Sequence, residues 1–228
     1  RAGAQLLASL VEVRPPVLRE HLPAIGKLIG KLAKDPSVTR GVAPSAPSQQ
    51  GTSAASREAE AASEAALRTL KTLVEQMAKY VHACQPGANG PEVPSAVSPA
   101  DADLESRRIF AAPLYALVDV KTDPELLLKV TNVVAVWLTS PLAQTTMGLK
   151  ERCNFVQRMV CYEHVHSPPL QAAFLHVVHR MYTDPQLARR ELLDRIEPAF
   201  MFGLRARDPK LRAAFFDVFH RSVGRNTA

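Results

Sequence analysis

The sequence has 228 residues, of which 46% are apolar and 22% charged, a balance that excludes a wholly disordered or collagen-like chain. Basic residues exceed acidic ones by 28 − 22 = 6, which permits contact with acidic partners without requiring it. Apolar runs stay well below the roughly 18 residues of a membrane helix, so we predict neither a membrane span nor a membrane partner. The chain begins with Arg1 and lacks a leader, and it is interpreted as a piece of a longer or processed polypeptide.

Three helices are predicted in the first half of the chain, because apolar residues recur there at steps of three and four. They cover about residues 16–34, 64–84 and 103–119. Pro113 is expected to kink or interrupt the third helix, since proline lacks an N–H donor. The apolar stripe of the first helix consists of Leu18, Leu22, Ile25, Ile29 and Leu32.

Two stretches between these helices are rich in Ser, Ala, Pro, Gly and Gln. They are residues 35–61 and 85–100. Segments of this composition bury too little apolar surface to offset the loss of chain entropy on folding. We therefore predict two disordered loops, inserted between helical hairpins.

A repeated Asp-Pro pair marks the second half of the chain, at 123–124, 184–185 and 208–209, with a weaker copy at 35–36. Aspartate accepts a hydrogen bond from an unpaired amide of the first helical turn, and proline loses no hydrogen bond at the first helical position. Each pair therefore predicts a helix start.

The junctions and the apolar period predict five further helices, at about 124–139, 147–164, 168–182, 185–206 and 209–223. The first of them is apolar nearly all round, which is typical of a helix covered on several sides. It is expected to be the most buried element. The last is predicted to bury one face composed of Leu211, Ala214, Phe215, Val218, Phe219 and Ser222.

Antiparallel helices with short turns, long loops and no strands predict an all-α fold. The irregular spacing of the junctions favours an α-solenoid of degenerate HEAT-type helix pairs, forming a single segment over residues 1–228. A compact all-α bundle is the structural alternative.

Catalytic motifs are not found in the sequence: the glycine-rich phosphate loops, the H-E-x-x-H zinc motif and the G-x-S-x-G elbow are all absent. We predict no catalytic residue and no cofactor. The odd count of three cysteines, Cys84, Cys153 and Cys161, suits reduced thiols of the cytosol or nucleus. Cys153 and Cys161 stand among apolar residues, which favours a packing role over a nucleophilic one.

Four histidines, His164, His166, His176 and His179, form the nearest approach to a metal-ligand set. Cysteine or carboxylate ligands at a familiar spacing do not accompany them, and His176 and His179 are predicted on the polar face of their helix with Arg180. We predict no metal site.

Basic residues cluster at Arg107 and Arg108, at Arg189 and Arg190, and around one turn between helices. The turn carries Arg205, Arg207, Lys210 and Arg212. A solvated surface is the default interpretation of each cluster, but four cations around one turn could bind phosphate or an acidic activation segment. Aromatic residues are not interleaved with them as a single-strand binder requires, which disfavours direct nucleic-acid binding.

Three blocks of the second half resemble the TRRAP family, the transformation/transcription domain-associated proteins. They are "LKERCNFVQRMVCYE" (149–163), "AAFLHVVHRMYTDPQL" (172–187) and "IEPAFMFGLRARDPKLRAAFFDVF" (196–219). The third is similar to a family block with a Leu/Ile-Glu-Pro-Ala-Phe helix, a Gly-Leu-Arg turn, and a helix with paired phenylalanines before Asp or Glu. The order and spacing agree over about residues 103–223, and more loosely over 1–34 and 64–84.

The resemblance implies a fragment of the HEAT solenoid that precedes the FAT region in this pseudokinase branch of the phosphatidylinositol 3-kinase-related kinases. It further implies a nuclear, non-catalytic scaffold of SAGA-type and MYST-type histone acetyltransferase complexes, whose partners are other subunits and acidic transcription activators. Three alternatives remain open: a HEAT-repeat adaptor or nuclear transport module unrelated to chromatin, direct DNA binding by the basic turn, and an enzyme that uses the histidines.

Overall fold

The computed structural model describes residues 19–39, 54–83, 85, 98–140 and 147–226. All regular structure in these ranges is helical, as the sequence predicts. The helices are α1 Leu22–Ala33, α2 Pro36–Thr39, α3 Ala54–Ala83, α4 Pro99–Leu117, α5 Pro124–Thr139, α6 Leu149–Met159, α7 Pro168–Thr183, α8 Arg190–Arg195, α9 Glu197–Leu204 and α10 Pro209–Asn226, with a 3₁₀ helix at Val160–His164.

The chain divides into two compact units, Arg1–Val133 and Val134–Ala228, and the boundary lies inside α5. In the described ranges, every helix is too short or too polar to cross a bilayer. The single HEAT-type segment over residues 1–228 stays a prediction.

In the first unit, α1 packs against α4 and α3. The predicted apolar stripe of α1 is confirmed at Leu22, Ile25 and Ile29, which are buried. Gly26 lies on the same face, where a Cβ atom would stand 2.4 Å from Cγ2 of Ile109 on α4. The two helices therefore approach each other more closely at this point than any residue with a side chain would allow.

The Asp-Pro prediction is confirmed at three of its four positions. Oδ1 of Asp123 accepts a hydrogen bond from the Leu126 amide at 2.9 Å, and Asp35 and Asp208 cap the starts of α2 and α10 in the same way. The pair at 184–185 differs: Asp184 accepts from the Gln186 amide at 2.9 Å, but only a turn at 185–187 follows.

The second unit is built on aromatic packing among α7, α9, α10 and the 3₁₀ helix. Phe174 lies edge-on to Tyr162, with ring centroids 5.7 Å apart, and stacks on Phe202 at 6.1 Å. Phe215 of α10 meets Phe200 edge-on at 5.4 Å and lies against Gly203, where a Cβ atom would stand 2.4 Å from its ring. Edge-on and offset-stacked pairs are the geometries that aromatic quadrupoles prefer.

Helix boundaries differ from the sequence prediction in the first half of the chain. The helix predicted from residue 64 begins at Ala54, because the alanines and glutamates of 54–63 are strong helix formers. The predicted loop 35–61 is thus helical at both ends, at α2 and at the start of α3, and residues 40–53 lie outside the described residues. The helix predicted from residue 103 begins at Pro99.

Two predicted helices that contain a proline differ from the prediction. Pro113 lies inside α4, which continues through it to Leu117, so the predicted interruption does not occur. The helix predicted over 185–206 is instead divided at Ile196 into α8 and α9, with Pro198 in the first turn of α9. Proline cannot donate to the preceding turn, and a helix therefore restarts rather than continues there.

Of the predicted loop at 85–100, residues 86–97 lie outside the described ranges.

The predicted buried face of α10 is correct at Leu211, Phe215 and Val218 and wrong at Phe219, which is 43% exposed. Ser222 lies outside the residues whose burial is described. The expected burial of α5 holds for Leu126, Leu127, Val130, Val133, Val134, Trp137 and Leu138.

Gln171 of α7 stabilises the end of the 3₁₀ helix. Its side-chain amide donates to the carbonyls of Tyr162 at 3.1 Å, Glu163 at 3.2 Å and Val165 at 3.0 Å. We expect Gln171→Met, which keeps the volume but removes the donor, to lower the free energy of unfolding by about 0.5–1.5 kcal/mol, because three carbonyls lose a side-chain donor while those of Tyr162 and Val165 keep the backbone amides of Val165 and Ser167. Urea denaturation measures the change. Gln186→Met in an exposed turn is the control, and an equal loss in both variants would contradict the assignment.

Candidate interaction site

The basic turn between α9 and α10 consists of residues 205–212. Arg205 follows the last residue of α9, and Asp208 and Pro209 start α10. Oδ1 of Asp208 accepts from the Lys210 amide at 2.8 Å, which fixes the turn. The side chains of Arg207 and Lys210 are exposed.

The other two cations of the basic turn have partners within the chain. Arg205 forms a forked pair with Glu163, with Nη2 2.9 Å from Oε1 and 3.1 Å from Oε2. Nη1 of Arg212 donates to the carbonyl of Ala206 at 2.8 Å. The sequence therefore overstates the available charge of this turn, and Arg207 and Lys210 are the residues best placed to meet an acidic partner.

The cluster at Arg107 and Arg108 is split by burial. Arg107 is buried and its Nε donates to Oδ2 of Asp103 at 3.1 Å, so the solvated-surface interpretation is wrong for it. Arg108 is exposed. Because Arg107 is buried and paired with a residue of its own helix, it is assigned to the structure of the first unit rather than to recognition.

Arg189 and Arg190 line a cavity of about 410 Å³ together with Leu149, Arg152 and Glu191. Arg189 and Arg190 are exposed, whereas Arg152 is only 3% exposed. Sequence reasoning missed Arg152, although a signal exists: it occupies the same helical stripe as Phe155, Val156 and Met159, the buried side of α6. A cation at an apolar position of an amphipathic helix indicates a special environment.

The histidines do not converge. His164, His166 and His176 are exposed, and His179 lies half-buried with its ring 5.6 Å from that of Phe215. Burial lowers the pKa of His179, and the nearby charges of His176 and Arg221 lower it further. Among the residues that the structure describes, no cluster of three or more His, Cys, Asp or Glu side chains could hold a metal ion.

The described thiols differ in exposure. Cys153 is buried, and burial raises its pKa, which makes it a poor nucleophile at neutral pH. Cys161 is half-buried, and Cys84 lies outside the described residues. The predicted packing role is therefore clearest for Cys153.

Comparison with known families gives a match over nearly the whole chain. The family model described as "Tra1 HEAT repeat ring region" matches residues 2–228. An all-α chain matched by a HEAT-repeat family has the fold class of a HEAT-type α-solenoid, as predicted. No solved structure matches the chain.

Curated relatives match about half of the chain. The "Transformation/transcription domain-associated protein" of Homo sapiens is 36% identical over 129 residues, which are 54% of this chain and 3% of the relative. The protein of that name in Danio rerio is 31% identical over 131 residues. The "SAGA complex/NuA4 acetyltransferase complex subunit TRA1" of Saccharomyces cerevisiae is 25% identical over 122 residues, again 3% of that protein.

Proposed function

Because the chain belongs to the Tra1 HEAT repeat ring region family, we propose that it is a non-catalytic scaffold segment of a transcription coactivator subunit in nuclear histone acetyltransferase complexes. The match over residues 2–228 is the observation that carries this proposal. Two fungal relatives are named as subunits of the SAGA complex and the NuA4 acetyltransferase complex. In such a complex, the proposed role of this chain is to bind other subunits and acidic activators.

Exposed apolar side chains on α10 support a protein-binding role. Phe216 and Phe219 are each 43% exposed and lie three residues apart, on neighbouring positions of one helix surface. Aromatic side chains that are half-exposed in one subunit are frequent anchors of protein interfaces, since burial against a partner removes their apolar area from water.

Arg207 and Lys210 support the acidic-partner part of the proposal. Their exposed positive charges lie on the turn that leads into α10, so an acidic segment can meet them without breaking an internal ion pair. Charges of this kind at the edge of an interface mainly raise the association rate and select the partner, while apolar anchors supply most of the affinity.

Affinity purification of the native polypeptide that contains this sequence tests the scaffold. We expect acetyltransferase-complex subunits among the co-purifying proteins identified by mass spectrometry at low salt. Phe216→Ser with Phe219→Ser should reduce their recovery. Transport factors in place of those subunits would contradict the proposal and favour an unrelated HEAT-repeat adaptor.

The contribution of the basic turn is tested by Arg207→Glu with Lys210→Glu. We expect this variant to bind an acidic activation segment about tenfold more weakly, with a smaller salt dependence, because attraction becomes repulsion. Arg180→Glu with Arg195→Glu changes the net charge of the chain equally at exposed positions outside the turn and is the control. Equal weakening in both variants would indicate a general charge effect and remove the site.

A further inference from the structure

Arg152 is a buried cation, and two of the three nitrogens of its guanidinium group have no hydrogen-bond partner in the part of the chain that the structure describes. Its Nε and Nη1 atoms are inaccessible to solvent and have no hydrogen-bond acceptor. A guanidinium group carries its charge at every physiological pH, so an uncompensated one in the interior is strongly destabilising. Such a residue indicates a missing anion.

The neighbouring sequence offers no replacement for that anion. Residues 141–146, which precede α6, read "PLAQTT" and contain no carboxylate. Glu191 lines the same cavity as Arg152, yet it is exposed and makes no ion pair with Arg152 in the structure. Within the part of the chain that the structure describes, Arg152 therefore has no carboxylate partner, and an anionic ligand could supply one.

The wall of the cavity is rich in arginine. Arg152, Arg189 and Arg190 line it with one carboxylate, that of Glu191, and Nε of Arg190 also lies 4.0 Å from Oδ2 of Asp194. The cavity also lies beside the first turn of α6, where Gly148 occupies the N-cap without a side chain to accept from the free amides. The positive end of the helix dipole adds to the attraction for an anion. Burial lowers the pKa of Arg152 and the charge of Arg189 lowers it further, as expected where cations converge.

We propose that the cavity formed by Leu149, Arg152, Arg189, Arg190 and Glu191 binds a phosphate group, either free or carried on a phosphorylated side chain. A phosphate bears close to two negative charges and three strong acceptor oxygens at neutral pH, so it can contact more than one arginine of the wall at once, whereas a carboxylate bears one charge. The planar fork of arginine suits bidentate contact with phosphate oxygens. This site is separate from the basic turn and does not depend on the scaffold function.

Calorimetric titration of the full chain with inorganic phosphate at constant ionic strength tests the site. We expect saturable binding of one phosphate per chain, and about tenfold or greater weakening in Arg152→Met, because a charge-assisted hydrogen-bond donor is lost. Arg152→Met should fold and melt no lower than the unsubstituted chain without phosphate, since it replaces an unpaired buried charge by an apolar side chain. A structural arginine would instead lower the melting temperature.

A variant at exposed residues and a control variant test the site without relying on the buried residue Arg152. Arg189→Gln with Arg190→Gln alters only exposed side chains and should also weaken binding about tenfold, whereas Arg108→Gln, at an exposed position outside the cavity and the basic turn, should leave it within twofold. Absence of saturable binding at millimolar phosphate, equal binding in the cavity variants, or acetate binding as tightly as phosphate would overturn the proposal.

The source of the phosphate is decided in the same assay with a phosphoserine peptide and its unphosphorylated form. Tighter binding of the phosphopeptide than of inorganic phosphate identifies a phosphorylated protein segment as the ligand. Equal affinity identifies free phosphate. Both results support the site.

Discussion

Replacement of Asp103 by alanine is expected to lower the free energy of unfolding by about 3–5 kcal/mol, because it removes a buried carboxylate that pairs with the buried guanidinium group of Arg107. The side chains of both residues are 3% exposed, and Nε of Arg107 lies 3.1 Å from Oδ2 of Asp103. Gln85 also donates to Oδ1 of Asp103, at 3.2 Å. Urea denaturation followed by circular dichroism measures the loss.

An exposed pair of the same spacing is the matched control. Glu64 and Arg68 of α3 are also separated by four residues and their charged atoms lie 3.0 Å apart, but both side chains are 56% exposed. Glu64→Ala should cost only about 0.3–0.5 kcal/mol, since water already screens the pair. A similar loss in Asp103→Ala would contradict the proposed importance of burial.

The double variant Asp103→Leu with Arg107→Met separates two interpretations of the buried pair. If the penalty in Asp103→Ala comes from removing one partner of a buried ion pair, replacing both partners by apolar side chains should restore most of the stability. A double variant as unstable as Asp103→Ala would mean that the polar pair itself, with its contact to Gln85, orders α4.

Sequence reasoning succeeded where the determinant is local. The three-and-four period of Leu22, Ile25 and Ile29 reports which face of α1 is buried, and the Asp-Pro pairs report helix starts because cap and first turn are adjacent in the chain. The pair at 184–185 shows the limit of this reasoning. Asp184 makes the same kind of capping hydrogen bond, but only a turn at 185–187 follows it, since the residues after the cap decide whether a helix continues.

Features that depend on residues distant in sequence were not predictable. Arg205 is separated by 42 positions from Glu163, and the ion pair between them forms only after α9 packs near the 3₁₀ helix. Likewise, "RR" at 107–108 reads as one basic cluster, although burial assigns opposite environments to its two members. Charge patterns therefore predicted where cations occur, and tertiary packing decided which of them are available.

Phe215→Ala should be the most damaging single truncation in the second unit, lowering the free energy of unfolding by about 3–5 kcal/mol. Phe215 is fully buried, packs edge-on against Phe200 and His179, and covers Gly203. Because Gly203 has no side chain that could expand into the space, truncation leaves a cavity that the surrounding rings cannot fill without moving α9 against α10.

Phe216 provides a control on the adjacent position of α10, with the same residue type and the same helical context. It is 43% exposed, so Phe216→Ala should cost about 1 kcal/mol or less while reducing the recovery of partner proteins. In the denaturation assay, Phe215→Ala should lower the free energy of unfolding by more than Phe216→Ala does. If both truncations destabilised the chain equally, α10 would have to bury both faces within the folded chain, and Phe216 could not serve as an anchor for a partner.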